Sequence, residues 1–438
     1  MDRTIAGLFW LLLYLMVVMV PVFLMLVPPV PSGRPFWTEL SIALGFVGLT
    51  QIGLQFLLIA RFKRVTAPYG IDIILRYHRQ IAIVAVAAIL LHPLIIVIEY
   101  PARLELLDPF GGNWASRFAL LSMLALLVIV GSSVFRERIR LDYERWRMLH
   151  VLLGVAAIVF AQLHASMAGL YINTAWKQAI WIVTAVAMVS FVVWLRLLKP
   201  AWQRSHYWTV VEVREEQGDT YTLALQPVGH DGFRFTPGQF AWIKLDDSPF
   251  TLEEHPFSFA SSAERTDRIE FGIKALGDFS SAIGDVAPGS RAYLDGPHGA
   301  FSIDRYPAAA YVLFAGGVGI TPFMSILRTM ADRNDPRPVT LFYADKSLDD
   351  VAYTDDLKKL EEQLNLEIIR VLEEPPGEWD GEEGFITPEL LDRRLDDVKY
   401  DRDYMVCGPP PMMDAVQEAL LERGVPQERI QLERFALV

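Results

Sequence analysis

Cysteine is almost missing from this sequence: Cys407 is the single one among 438 residues. Its isolation excludes an intrachain disulfide, a cysteine-ligated iron–sulfur cluster and a thiolate zinc site. No Cys-x-x-Cys-His run occurs, which excludes covalently attached c-type haem, and no EF-hand pattern occurs, so calcium control within this chain is not expected. Charge is thin as well, at 21% of residues against 52% hydrophobic. That is too apolar for an ordinary soluble enzyme and too charged for a bare membrane bundle. The net charge of −12 hides a split. Residues 1–203 carry 17 Lys+Arg against 9 Asp+Glu, a net of +8, and residues 204–438 carry 23 against 43, a net of −20. A basic, apolar half followed by an acidic one reads as a membrane domain joined to a soluble domain. No basic face belongs to a part that folds in water, which argues against nucleic acid.

Six apolar stretches are long enough to span a hydrocarbon core of about 30 Å. They run roughly over Ile5–Val27, Leu40–Ala60, Ile73–Ile98, Phe118–Phe135, Leu149–Ile172 and Ala179–Leu198. The first exceeds a signal-peptide core in length and lacks a small-x-small cleavage site, so it reads as a helix. Arg61, Lys63, Arg64, Arg76 and Arg79 lie between the second and third stretches, and Arg136, Arg138, Arg140, Arg145 and Arg147 between the fourth and fifth. The opposite side has only Arg34, Arg103, Arg117 and Lys177. The positive-inside rule therefore predicts that the N-terminus, both basic loops and everything after Lys199 are cytoplasmic. The expected location is a bacterial inner or plasma membrane.

Four of the eight histidines fall in this half, all on the third and fifth stretches. His78 and His92 are fourteen apart, and so are His150 and His164. Fourteen residues are nearly four helical turns, so each pair shares one face, about 21 Å apart along the axis. Both helices run outward, so His78 is expected to face His150 near the inner surface and His92 to face His164 near the outer one. Two stacked bis-imidazole sites suit two b-type haems. Small residues between the ligands (Ala82, Ala85, Ala87 and Ala88, then Gly154, Ala156, Ala157 and Ala161) would leave room for flat macrocycles. The plainer reading is histidines satisfied by interhelical hydrogen bonds, and the matched spacing on two helices of one direction weighs against it. Arg76, Arg79, Arg145 and Arg147 would either hold haem propionates or only set topology.

Beyond Lys199 the rhythm shortens. Tyr207–Arg214, Tyr221–Gln226, Ala241–Leu245 and Ile269–Lys274 read as strands among Gly/Pro turns, as in a small antiparallel barrel. His255-Pro256-Phe257-Ser258 and Asp295-Gly296-Pro297-His298-Gly299-Ala300-Phe301 lie within it. From Tyr311 strand alternates with helix: strands at Tyr311–Ala315, Val339–Tyr343, Leu366–Leu372 and Tyr404–Cys407, helices at 323–330 and Met413–Arg423. This alternation predicts a doubly wound parallel sheet. Gly316-Gly317-Val318-Gly319-Ile320-Thr321-Pro322 ends the first strand, where backbone N–H groups approach a pyrophosphate or simply make a tight turn. The fold class is thus a multidomain membrane protein. Its expected parts are an all-α six-helix transmembrane bundle over 1–203, an antiparallel β-barrel over 204–303 and an α/β doubly wound parallel sheet over 304–438.

The succession of barrel, His-Pro-Phe-Ser, Gly-rich turn and Cys-Gly-Pro resembles ferredoxin–NADP reductase-type flavin dehydrogenases. With four histidines in a membrane domain in front, the chain resembles the NADPH oxidase/ferric reductase superfamily. The resemblance implies FAD at His255, Pro256, Phe257 and Ser258, with Phe257 against the isoalloxazine and Ser258 near its reactive nitrogen. It implies Ile273, Lys274, Phe279 and Ser280 at the FAD pyrophosphate, and Gly316, Gly317, Gly319, Thr321 and Pro322 around the nicotinamide dinucleotide. Cys407, Gly408 and Pro409 would lie beside the nicotinamide. Phe435 would stack on the flavin, or else plug the seam between domains. Ser258, Cys407 and Phe435 are thereby the expected catalytic residues. Asp345 favours NADH and Lys346 favours NADPH, so the sequence leaves that choice open. The implied activity passes electrons from cytoplasmic NAD(P)H through FAD and two haems to an outside acceptor. That acceptor is O2, giving superoxide, or a ferric chelate, or a separate extracytoplasmic redox protein. Animal oxidases have a second histidine four residues after the outer ligand of the third helix, where this chain has Ile96. Glu99, Glu105 and Asp108 would attract cationic metal species or serve only as solvated loop charges.

Overall fold

The computed structural model describes residues 3–31, 33–59, 71–395 and 402–434. Each apolar stretch forms one helix: α1 (Arg3–Leu26), α2 (Phe36–Ile59), α3 (Ile71–Glu99), α4 (Trp114–Val134), α5 (Tyr143–Ala168) and α6 (Ala175–Val193). Among the described residues these are six helices long and apolar enough to cross a membrane. Helix α5 starts at Tyr143, ahead of the expected Leu149. Glu144, Arg145 and Arg147 are good helix formers that a hydropathy reading passes over. It stops at Ala168 because Gly169 turns left-handed (φ 64°) and returns its N–H to Ala165. Helix α4 starts where the Asn113 side chain accepts the Ser116 N–H at 2.9 Å. Helix α6 runs into a π turn, Trp194–Leu198, and then α7 (Lys199–Gln203). The basic residues Arg61, Lys63 and Arg64 lie outside the described residues.

Small residues let these helices pack closely. A β-carbon on Gly48 of α2 would sit 2.6 Å from the Ile89 side chain of α3, and one on Gly53 would sit 2.2 Å from Met188 of α6. Ser122 of α4 donates to the Ala157 carbonyl of α5 at 2.8 Å, a buried bond between two helices. In hydrocarbon such close approach and interhelical bonding replace the hydrophobic drive that water supplies elsewhere.

The chain divides at Lys199/Pro200 into two compact units. In the second, β1 (Trp208–Glu216), β2 (Thr220–Pro227), β3 (Phe240–Leu245), β4 (His255–Ser258), β5 (Ile269–Lys274), the short α8 (Asp278–Ser281) and β6 (Arg291–His298) come first. The strands form an antiparallel sheet ordered β4-β3-β6-β1-β2-β5. It curls until Phe259, just beyond β4, bridges Phe271 of β5, bringing the two edges together around a core of Leu223, Ile243, Phe259 and Phe271. Both quoted motifs are themselves strand: His255–Ser258 is β4, and Asp295–His298 ends β6.

The second sheet uses β7 (Ala310–Gly316), β8 (Val339–Asp345), β9 (Leu366–Leu372), β10 (Glu382–Glu383), β11 (Arg402–Cys407) and β12 (Ile430–Glu433). All its neighbours are parallel, in the order β10-β9-β8-β7-β11-β12. Its helices are α9 (Ile320–Asp332), α10 (Thr354–Gln363), α11 (Pro388–Arg394) and α12 (Pro410–Glu422). Val312–Ala315 and Leu341–Phe342 are fully buried, as central parallel strands covered on both faces must be. The order reverses between β7 and β11, and a ligand crevice is expected at their carboxyl ends.

The two sheets are clamped by Arg328 of α9. Its guanidinium donates to the Ala260 carbonyl at 2.8 Å and to Glu270 of β5 at 3.1 Å, and it pairs with Asp356 of α10. Arg328→Ala is expected to remove about 1.5–3 kcal/mol, read as a lower midpoint for the second unit in thermal unfolding, with the helical signal of the first unit unaffected. An unchanged midpoint would mean the clamp is only decorative.

Candidate electron-transfer sites

In the membrane unit, the rings of His78 and His150 have centroids 6.1 Å apart, and those of His92 and His164 are 6.3 Å apart. Two imidazoles sharing one iron need about 2 Å of metal–nitrogen bond and about 1 Å from nitrogen to ring centre on each side, roughly 6 Å in all. The ring separations fit that geometry. No cluster of three or more His, Cys, Asp or Glu able to hold a bare ion occurs among the described residues. A donor set of two suits iron whose remaining positions a macrocycle fills.

The outer pair is oriented by backbone. His92 Nδ1 lies 2.9 Å from the Ser41 carbonyl of α2, while the Ser41 hydroxyl donates to the His92 carbonyl at 2.7 Å. His164 Nδ1 lies 2.9 Å from the Ala115 carbonyl of α4. A carbonyl only accepts, so each Nδ1 carries the proton and each Nε2 is left with its lone pair, the state a metal ligand requires. The inner pair differs: Nδ1 of His78 and of His150 are both buried without a hydrogen-bond partner.

None of the four arginines considered for propionates lines the cavity beside His78 and His150. Arg76 and Arg79 are exposed, the Arg145 side chain is 78% exposed and pairs with Asp142, and Arg147 lies over the Tyr143 ring. The cation lining the cavity beside His78 and His150 is instead Arg196, together with Gln55. Of the acidic residues singled out, Glu99 accepts from Thr38 of α2 at 2.7 Å and Asp108 accepts the Phe110 N–H at 2.9 Å, so both have partners within the protein.

In the second unit, Ser258 is 5% exposed and its hydroxyl has no hydrogen-bond partner. His255 and Phe257 both pack on Phe279, with ring centroids 4.3 and 6.0 Å away, and His255 Nε2 is likewise without a hydrogen bond. Pro256 sits between them on β4, opposite Trp242. A buried, unsatisfied hydroxyl beside aromatic rings fits the edge of a flat heterocycle. Ile273 points into the barrel core, so only its backbone on edge strand β5 would meet a ligand. Ser280 also differs from expectation: its hydroxyl accepts the Leu276 and Gly277 N–H groups at 3.0 and 2.9 Å and so shapes the loop. Lys274 lies in the field of Asp345. Phe435 lies outside the described residues.

At the sheet's switch point, the Gly-rich turn and the Cys-Gly-Pro loop touch. A β-carbon on Gly319 would sit 2.2 Å from the Cys407 carbonyl, and one on Gly316 would meet Pro409 and Met412 at 2.7 and 2.6 Å. Gly408 approaches the Gly316 backbone at 3.0 Å on the same measure. Gly317 has the opposite surroundings: φ is 53° and nothing lies within 4 Å, so it faces open space. Thr321 is 2% exposed with an unpartnered hydroxyl, and Pro322 follows it in the first turn of α9. Thr321 and Tyr353 press on Gly272 of β5, joining the two sheets at this point. Cys407 is fully buried and burial pushes its thiol well above the usual range, so it is no thiolate nucleophile. Asp345 ends β8; one carboxylate oxygen accepts the Lys346 N–H at 2.9 Å and the other is buried without a partner. Burial pushes this carboxyl up to about 6, while Lys346 stands 3.8 Å from Glu374.

Sequence reasoning missed Ser41, Gln55 and Arg196. The available signal was their polarity within otherwise apolar helices.

Three family models match in succession: ferric reductase like transmembrane component over residues 44–161, FAD-binding domain over 191–302 and oxidoreductase NAD-binding domain over 313–418. That succession matches the architecture of the NADPH oxidase/ferric reductase superfamily. The reductase component of propane 2-monooxygenase from Rhodococcus jostii (strain RHA1) is 31% identical over 235 residues, 52% of this chain and 62% of that protein. NADH-cytochrome b5 reductase 1 of Debaryomyces hansenii is 33% identical over 157 residues, 35% of this chain and 55% of that protein. The chain thus spans about three fifths of the length of the curated relatives it matches. Among solved structures, the ferredoxin reductase in carbazole 1,9a-dioxygenase is 29% identical, with 52% of this chain and 69% of that chain covered and a TM-score of 0.47. The protein is an oxidoreductase with FAD- and NAD-binding domains behind a ferric-reductase-like membrane component.

Gly319→Ala must displace the Cys407 backbone. It is expected to raise KM for the nicotinamide cofactor on the order of tenfold while FAD content stays unchanged. Steady-state kinetics beside flavin quantitation check this, and an unaltered KM would detach the glycine from the cofactor.

Proposed function

We propose that this chain is a transmembrane oxidoreductase that takes electrons from NAD(P)H on the cytoplasmic side and delivers them across the bilayer to O2, giving superoxide. The observation that carries the reading is the pair of facing histidine couples, at 6.1 and 6.3 Å, on helices α3 and α5. The proposed division is a bis-haem bundle over 1–203, a FAD-binding barrel over 204–303 and a nicotinamide-binding sheet over 304–438. The membrane would be a bacterial inner or plasma membrane.

His78 and His150 would hold an inner b-type haem, and His92 and His164 an outer one. His255, Pro256, Phe257, Ser258, Lys274 and Phe279, with the backbones of Ile273 and Ser280, would hold FAD. Bound FAD would supply the change from the paired electrons of a nicotinamide to the single electrons that haem accepts. The protein's own part is placement. Gly316, Gly317, Gly319, Thr321, Pro322, Gly408 and Pro409 shape the dinucleotide crevice. Buried Cys407 supports the floor of that crevice, and the Ser258 hydroxyl offers a hydrogen bond at the flavin. The Ser41 and Ala115 carbonyls fix the outer imidazoles.

We further infer that NADH is the preferred donor. The unpartnered Asp345 oxygen suits a ribose 2′-hydroxyl, whereas Lys346 has Glu374 beside it. The named function of the yeast relative, an NADH-dependent reductase, accords with this. Asp345→Ser should shift the NADH/NADPH ratio of kcat/KM toward NADPH by on the order of tenfold. Since the carboxyl titrates near 6, KM for NADH should rise as pH falls through that value, and Asp345→Asn should flatten the profile. A ratio indifferent to both changes would overturn the assignment.

The activity test is NADH oxidation by the full chain in proteoliposomes. Superoxide dismutase-sensitive reduction and Fe(II)-chelator absorbance are read in parallel, with a ferric chelate supplied. Superoxide formation supports the reading, while iron reduction alone transfers the acceptor to ferric chelates. Negligible turnover with either points to a separate redox protein. His92→Ala and His164→Ala should each lose the outer haem, and unchanged haem content would refute the ligand assignment.

A further inference from the structure

The cavity beside the inner histidines holds polar groups that nothing in the protein satisfies. Gln55 of α2 is 5% exposed, and neither its amide oxygen nor its nitrogen has a hydrogen-bond partner. It lines a cavity shared with His78, His150, Phe56, Gly154 and Arg196, whose other walls are aliphatic. Both inner Nδ1 atoms are also unpartnered. In hydrocarbon an unpaired carboxamide is expensive, and a leucine would fill the same place without that penalty. Arg196 brings a cation to the same wall from the π turn, where the Lys199 N–H reaches back five residues to the Trp194 carbonyl. π turns recur at functional positions, and intramembrane cations mark binding sites more often than they mark packing.

We propose that Gln55 and Arg196 form the carboxylate-binding end of the inner cavity and hold the acid groups of a flat dicarboxylate macrocycle seated between His78 and His150. The inference rests on the two-haem reading and adds binding residues from α2 and from the end of α6. Gln55 is a neutral donor through its NH2, and Arg196 supplies charge and a planar fork. Together they are the donor set that a carboxylate in an apolar pocket requires. The other pair differs in that its imidazoles are already bonded to carbonyls.

The test uses the full-length protein, stripped of haem and titrated with haemin or with haemin dimethyl ester, whose acid groups are blocked. Soret absorbance reports binding, and His78→Ala identifies which of the two binding steps is the inner one. The wild-type protein should bind haemin about tenfold or more tighter than the diester at the inner site. The Gln55→Leu/Arg196→Gln variant should bind the two alike there, its outer site and FAD content serving as internal controls of folding. Gln55→Leu alone removes a buried unsatisfied group, so it should fold and show part of the loss. Persistence of the full discrimination in the double variant would overturn the inference while leaving two haems in place. Failure of the wild-type chain to bind haemin at either step would instead overturn the two-haem reading, and this inference with it.

Discussion

Hydrocarbon solvates no polar atom, and the membrane unit is organised around that constraint. Every imidazole, amide and hydroxyl between the helices has to find a partner inside the bundle or be satisfied by something bound there. At the outer end the answer is internal. Ser41 and Ala115 present carbonyls to His92 and His164, and this choice of acceptor fixes the tautomer and leaves each Nε2 its lone pair, in rings whose centres are 6.3 Å apart. At the inner end the answer is missing from the protein. His78, His150 and Gln55 keep unpaired atoms around one cavity. One face of each helix, repeated at fourteen residues, thus yields two sites with different support.

The reductase unit rests on another constraint, the close meeting of two strand ends. Gly316, Gly319 and Gly408 carry no side chain because the β7 and β11 ends come within van der Waals reach of each other. Gly317 is glycine for a different reason, a left-handed φ beside open space. The clamp of Arg328, and the fit of Thr321 and Tyr353 against Gly272, hold the curled sheet against this crevice. The barrel's Ser258 and the parallel sheet's turn therefore belong to one packed body, whose two halves share core residues such as Ala260 and Phe301.

Much of this was legible in the sequence because periodicity reports burial. Apolar runs marked the six helices, and Ile269–Lys274 and Leu366–Leu372 are strands with the ends that their composition suggested. Histidine spacing alone brought the right rings together, since a rigid 3.6-residue repeat converts sequence distance into direction. What depends on tertiary partners was not legible. Strand β6, interrupted in composition by Gly296 and Pro297, is not among the expected strands, yet it lies between β3 and β1. Ser280 has the chemistry of a phosphate contact, but the adjacent Leu276 and Gly277 amides claim its hydroxyl. Cys407 borders the crevice through its backbone while its side chain turns into the core, a distinction of one bond that composition does not carry.

Some of the polar atoms left without partners lie at the candidate sites. In the reductase unit they include the hydroxyls of Ser258 and Thr321 and one oxygen of Asp345; in the membrane unit they include Nδ1 of His78 and His150 and the carboxamide of Gln55. A folding-only account has no use for them. Asp345 shows why: its folded carboxyl titrates near 6, above its ordinary value. Its charge therefore weakens the fold at any pH above that point, and the penalty disappears only as pH falls toward the ordinary carboxylate range. A residue that opposes folding at neutral pH makes sense where a ligand completes its hydrogen bonding. The same reasoning applies to Gln55 in hydrocarbon, and it ties both ends of the proposed electron path to one physical rule: the fold leaves open the hydrogen bonds that its cofactors are to close.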